Sequence, residues 1–191
     1  MQEGLNIPWS RYGLIAELAH RMSATRPQFG KTALQKSVYL LKEVYCVDCG
    51  YDFELYTYGP FSSQLLQDLD MVAGIGAVNI APVLSAPGGF HISPGPQNKS
   101  LRRKTLDFLE SPVVSRALDR LVKDFGQRWA KDLELISTIV YVCRDLGAGD
   151  QPVKRKRILK TVSAIKPKFT KEEITTVCTQ LEAKHFITFA D

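Results

Sequence analysis

Apolar positions along this chain recur first at helical spacing, then briefly at strand spacing, then at helical spacing again. Leu14, Ile15, Leu18 and Met22 repeat behind Ser10, a residue suited to N-capping, and predict an amphipathic helix over residues 11–23 that Thr25-Arg26-Pro27 ends. Gly30 and Lys31 lead into a second helix whose stripe is Leu34, Val38, Leu41 and Tyr45, with Lys36 read as a solvated or snorkelling lysine. Over residues 51–58 the period shortens to two: Phe53, Leu55 and Thr57 alternate with Asp52, Glu54, Tyr56 and Tyr58, as in a short strand. Gly59-Pro60 then reads as a break, and Ser62 or Ser63 as the cap of a helix carrying Leu65, Leu66, Leu69 and Val72 up to Gly74 and Gly76. Residues 77–84 and 89–93 read as a hairpin with a loose loop at Ser85-Ala86-Pro87-Gly88, and a helix followed by such a hairpin is the winged-helix pattern.

Residues 94–100, Pro-Gly-Pro-Gln-Asn-Lys-Ser, are polar and rich in turn formers, and predict a linker between a domain at 1–95 and a second at 96–191. Beyond it, residues 101–109 suggest a short helix, and Ser111-Pro112 a cap and first turn for a helix striped by Val114, Leu118, Leu121 and Phe125. Residues 129–146 predict a long, mostly apolar helix with Leu133, Ile136, Ile139, Val140 and Cys143, suited to burial on more than one side and ended by Gly147-Ala148-Gly149-Asp150. The last segment has helix-turn-helix spacing. Ile158, Leu159, Val162 and Ile165 mark one helix, Lys166-Pro167-Lys168-Phe169 a turn, and Ile174, Val177, Cys178 and Leu181 the next, with Thr170 and Glu173 as a capping box. The expected fold is mainly α with a small β-hairpin: a winged-helix-like first half and a helical second half that contains a helix-turn-helix.

Charge sharpens this division. The net +5 of the 191 residues is uneven: residues 1–95 hold 6 Lys and Arg against 8 Asp and Glu, and residues 96–191 hold 19 against 12. Two runs concentrate the excess, Arg102-Arg103-Lys104 and Lys154-Arg155-Lys156-Arg157, the kind of charge that neutralises phosphates or meets an acidic partner, or that simply stays solvated. No apolar run approaches the roughly 20 residues that cross a bilayer, and Met1 to Asn6 lacks the basic and apolar parts of a secretory signal, so the expectation is a cytoplasmic protein without membrane contact.

Candidate chemistry is sparse. Cys46, Cys49, Cys143 and Cys178 read as free thiols; Cys46-Val47-Asp48-Cys49 has zinc-knuckle spacing but no second ligand pair, and His20, His91 and His185 lie far apart. Ser62, Ser63 and the histidines form no nucleophile-base pattern, and phosphate-loop, dinucleotide and zinc-protease motifs are absent from the sequence. An enzyme would need a site assembled from residues such as Asp68, Asp70 and His91. The expectation is a non-catalytic protein with no catalytic, cofactor-binding or metal residues. Gly59-Pro60 reads as geometric, and Tyr56 and Tyr58 as cover for a core edge in preference to base-stacking residues.

Three motifs carry a family resemblance: Leu34-Gln35-Lys36 ahead of an apolar helix, Tyr56 to Ser63 with its Tyr-Gly-Pro-Phe-Ser core, and Lys166-Pro167-Lys168-Phe169-Thr170. Over residues 10–187 the chain resembles the YwgA-like group of uncharacterised prokaryotic proteins. More distantly, its first half is similar to the Panacea domain of bacterial antitoxins and adaptors, which has a related Leu-Gln-Lys helix and Gly-Pro turn. The resemblance implies a mostly helical, winged-helix-like fold of prokaryotic or phage origin, a role in regulation, interaction or antiviral defence, and no catalytic residues.

The function expected from the sequence is therefore a regulatory or defence-associated protein that binds DNA or RNA through its second half. The candidate nucleic-acid-binding residues are Arg102, Arg103, Lys104, Lys154, Arg155, Lys156, Arg157, Lys168 and Lys171. Glu172, Glu173 and Glu182 decorate the would-be recognition helix and oppose that reading. A protein-protein module of the toxin-antitoxin or adaptor kind is the alternative, an enzyme a more remote one, and a homodimer is compatible with the winged-helix reading.

Overall fold

The computed structural model describes residues 7–24, 28–84, 88–147 and 153–190. The expected helix end at Thr25-Arg26-Pro27, the loop residues Ser85, Ala86 and Pro87, the stop at Ala148-Gly149-Asp150, and Met1 to Asn6 lie outside them. The protein is mainly helical, as the periodicities predict, with two small antiparallel strand pairs among the described residues where one hairpin was expected. It forms two compact units: unit 1 is Met1–Asp52 with Ser62–Gln127, and unit 2 is Phe53–Phe61 with Arg128–Asp191. The units therefore fall elsewhere than the division expected at residue 95. The chain leaves unit 1 for nine residues, returns, and leaves again after Gln127.

Unit 1 contains α1 (Trp9–Ser23), α2 (Lys31–Glu43), α3 (Ser63–Gly74), β3 (Val78–Pro82) and β4 (Phe90–Pro94), then α4 (Asn98–Lys104), α5 (Leu106–Leu109) and α6 (Pro112–Phe125). Its first part follows the winged-helix order. The N–H of Ile92 in β4 donates to the carbonyl of Phe29 (2.6 Å), so the stretch before α2 lies against the hairpin. That approach requires Gly30, where a Cβ would stand 2.3 Å from the Phe90 carbonyl oxygen. The core is built from the stripes of α1 and α2, with Leu14, Leu18, Leu34, Val38 and Leu41 all buried. Pro8, not Ser10, occupies the N-cap of α1. Lys36 is not solvated: it is only 2% exposed, among the largest fully buried side chains.

The polar stretch after β4 belongs to unit 1 and starts a helix. Its buried residue Asn98 donates through Nδ2 to the carbonyls of Ala16 (3.0 Å) and Ala77 (3.1 Å), so its polarity satisfies buried backbone rather than marking a linker. The expected helix over 101–109 is two pieces, α4 and α5, separated at Thr105. Pro112 opens α6 as predicted, but the Ser111 hydroxyl donates backward to the Phe108 carbonyl (2.9 Å) and makes no cap bond.

Unit 2 contains the hairpin β1 (Glu54–Tyr56) and β2 (Gly59–Phe61), then α7 (Ala130–Leu146), α8 (Arg155–Ile165) and α9 (Lys171–Ala183). Gly59-Pro60 does not end the strand segment; it forms the return strand. The register pairs Tyr56 with Gly59 and Leu55 with Pro60, leaving Thr57 and Tyr58 as a two-residue turn. In such a hairpin the closing pair carries the ladder hydrogen bonds and the next pair does not, so the N–H missing from Pro60 costs no bond. Gly59 has φ +88° and runs against α7, where a Cβ would meet Thr138 Oγ1 at 2.9 Å. Along α7 every residue from Leu133 to Val140 is buried, the enclosure predicted for this helix. At the far end of the unit a short parallel bridge joins Lys154 to Ala190.

Candidate nucleic-acid interface

The helix-turn-helix of unit 2 is α8, the segment 166–170 and α9. Local chemistry starts the second helix: the Thr170 hydroxyl accepts from the Glu173 N–H (3.1 Å), and Glu173 accepts from the Thr170 N–H (2.7 Å), the predicted capping box. The bond from the Thr170 backbone is the main reason the Glu173 carboxyl is held below its ordinary range. Phe169 is buried in the turn, with the Lys131 and Lys168 ammoniums 5.2 Å and 5.3 Å from its ring centre.

An ion cluster fixes that turn. Glu134, buried in the second turn of α7, accepts from Lys166 Nζ through one oxygen and from Lys168 Nζ through the other, each at 2.8 Å. Lys166 is itself buried and also donates to the carbonyl of Thr57 in the hairpin. Buried charges persist only when paired and hydrogen-bonded, and here the pairing ties the turn to both α7 and the hairpin. Glu134 is a functional-looking residue that the sequence analysis passed over. The signal was a lone carboxylate inside Leu133-Glu134-Leu135-Ile136, where an ion demands a partner.

The expected basic residues have different fates. Arg102, Arg103 and Lys104 lie in unit 1, and the other six lie in unit 2. Arg102 pairs with buried Glu17, and the Lys104 ammonium sits 3.3 Å from the centre of the Trp9 ring, while Arg103 is exposed. In unit 2, Arg155 pairs with Glu182 and lies 4.9 Å from the Phe189 ring centre, and Lys168 is held by Glu134. Lys154, Lys156, Arg157 and Lys171 are exposed with no ion pair among the described residues. Lys160, one turn beyond Lys156 and equally exposed, belongs with them and was missed because it stands outside the contiguous run.

The same pairings alter the acids of α9. Glu173 is engaged by the cap and by Lys131 (3.5 Å), and Glu182 by Arg155, which leaves Glu172. The exposed residues of α9 are otherwise Lys171, Thr175, Thr176, Thr179, Gln180 and Ala183. By unit the charges are nearly even, 13 Lys and Arg against 11 Asp and Glu in unit 1 and 12 against 9 in unit 2, so the basic character is local to α8.

The residues considered for an enzyme do not form one polar set. Buried Asp68 accepts from Tyr51 (2.9 Å), Arg11 and Gln64, Asp70 is exposed, and His91 stands on β4 opposite Ala81. Ser62 caps α3 by accepting from the Leu65 N–H. All four cysteines are free thiols, and no cluster of metal-ligand side chains occurs among the described residues. No helix among the described residues is long and apolar enough to cross a membrane. No protein-family model matches the chain, and no curated protein matches it.

Proposed function

We propose that this chain is a nucleic-acid-binding protein of a regulatory or defence system, and that unit 2 holds the phosphate backbone with α8 while presenting α9 to a groove. The observation that carries this reading is the outward arc of Lys156, Arg157 and Lys160 on α8, next to Lys154, with no ion pair among the described residues. In a helix-turn-helix the first helix crosses the backbone and the second approaches base edges. The distribution of side chains supports that division: cations on α8, and hydroxyl and amide groups on α9 whose acids are largely engaged elsewhere.

Four phosphate contacts give a slope of log K against log salt of about −3 to −4 on duplex DNA. Fluorescence anisotropy with duplex DNA and single-stranded RNA over a salt series measures it. Changing Lys154, Lys156, Arg157 and Lys160 to Ala flattens the slope and weakens both ligands together. Absence of binding at low salt, or an unchanged slope in the variant, sinks the reading.

A second reading, a protein-docking module, is favoured by unit 1. Its helix α3 occupies the recognition position of a winged helix yet contains no Lys or Arg, and it exposes Met71, with Ile75 just beyond its end, beside Gln64, Gln67 and Asp70. Such a face suits a protein better than a phosphate backbone. A pull-down that retrieves a stoichiometric protein through unit 1, lost on Met71→Asp, supports it.

A further inference from the structure

We infer that the β1–β2 hairpin of unit 2 is a stacking platform for unpaired bases, so that the nucleic acid bound here carries a single-stranded stretch. The inference rests on the proposed nucleic-acid reading and specifies its ligand. A two-stranded hairpin with three-residue strands is marginal alone, and this one is held from two sides. Lys166 donates to the Thr57 carbonyl, and Gly59 passes so close to Thr138 and Ser137 of α7 that no side chain fits between. A segment fixed this firmly nevertheless points large aromatic residues outward: Tyr56 is 67% exposed and Tyr58, in the turn, 60%. Neither therefore covers the core edge expected from the sequence. Tyr56 leans on Phe61, with ring centres 5.7 Å apart, which stiffens it further.

The cations beside these rings choose the partner. Lys168 Nζ lies 5.5 Å from the Tyr58 ring centre, and it shares Glu134 with Lys166, so one carboxylate faces two ammoniums and the cluster keeps a positive charge. Aromatic faces next to ammonium groups match a base and its flanking phosphate, with stacking tolerant of base identity. A duplex keeps its base faces stacked inside and offers these tyrosines nothing, whereas an acidic peptide would use the lysine alone. Lys168 also belongs to the turn between α8 and α9, which ties the hairpin to the helix-turn-helix.

Rigid, exposed rings lose little freedom on binding, so stacking should show directly in affinity. The test compares a short oligothymidylate, an abasic strand of equal length and a duplex, each titrated against the whole protein. Wild type should hold oligothymidylate about tenfold more tightly than the abasic strand. Tyr56→Ala with Tyr58→Ala should erase that ratio and leave abasic and duplex binding unchanged, while Tyr56→Phe with Tyr58→Phe retains it. Lys156→Ala with Arg157→Ala should weaken every strand and preserve the ratio. Equal wild-type affinity for the two single strands, or a ratio that survives loss of both rings, overturns the inference. If the basic variant loses nothing while the alanine variant loses the ratio, the phosphate assignment on α8 fails and stacking stands; a wild type that binds no strand overturns both.

Discussion

Lys166 and Glu134 form an ion pair at 2.8 Å although both side chains are almost wholly buried, and the carbonyl of Thr57 accepts a second bond from the same ammonium. The turn of the helix-turn-helix is thereby held by charge in an apolar setting.

Removing one partner of such a pair leaves a buried ion uncompensated, at a cost of about 3–5 kcal/mol, whereas replacing both by apolar residues is often close to neutral. Glu134→Leu should therefore destabilise unit 2 by about 3 kcal/mol or more, because it leaves buried Lys166 without a carboxylate, and Lys166→Met with Glu134→Leu should recover most of that loss, whereas Lys166→Met alone should cost less because Lys168 still pairs with Glu134. Urea unfolding of the two single variants and the double variant measures the coupling. Additive single losses would show that the pair contributes no specific interaction.

Gln35 reads the backbone of Ser62 from both sides: its Nε2 donates to the Ser62 carbonyl (2.8 Å), and its Oε1 accepts from the Ser62 N–H (2.9 Å). Ser62 is the N-cap of α3, so one buried amide positions the start of that helix. Gln35→Ala should cost about 2–4 kcal/mol, since it strands two buried backbone groups, and Gln35→Met should do little better because it restores volume but no hydrogen bonds. Chemical denaturation followed by circular dichroism distinguishes these from a surface substitution.

Acid should weaken unit 1 through Glu17. Burial works to raise its carboxyl pKa, but hydrogen bonds and charge from Arg21 and Arg102 outweigh burial and hold it below its ordinary value of 4.5. The unfolded chain therefore binds this proton more readily than the folded one, so the contribution is fully present above the ordinary value and disappears as pH falls through the folded one. Glu17→Gln should lower stability at neutral pH and flatten the acid limb of the stability curve. Urea midpoints measured from pH 7 down to pH 3 provide the comparison, and parallel curves would dismiss the assignment.

Thiol labelling should be graded. Cys46 is exposed, whereas burial pushes the Cys49 and Cys143 thiols up to about 12 and Cys178 up to about 11. At neutral pH a thiol-reactive probe should modify Cys46 first and half-buried Cys143 more slowly, with Cys49 and Cys178 reacting only on unfolding. Mass spectrometry of tryptic peptides after timed labelling reads the order.

The helices were legible because each repeats one apolar face, and α1, α2, α3, α6, α7, α8 and α9 all form near the expected stripes. The misreadings share a different cause: a residue with an obvious local meaning serves a partner distant in the chain. Gly59-Pro60 looks like a strand breaker, but α7 selects the glycine. Residues 94–100 look like a linker, but Asn98 is drawn inward by carbonyls of Ala16 and Ala77. The basic run at 154–157 was visible directly, yet Arg155 is withdrawn from it by Glu182, a residue 27 positions away. No periodicity reports such pairings.

The excursion of Phe53–Phe61 also sets an order of assembly. During synthesis the hairpin leaves the ribosome long before α7, so Gly59 must wait for the helix that receives it, and Thr57 waits longer still for Lys166. Unit 2 is consequently not a segment that can be cut out: a fragment starting at residue 128 retains all three of its helices but arrives without the backbone acceptor for its buried lysine.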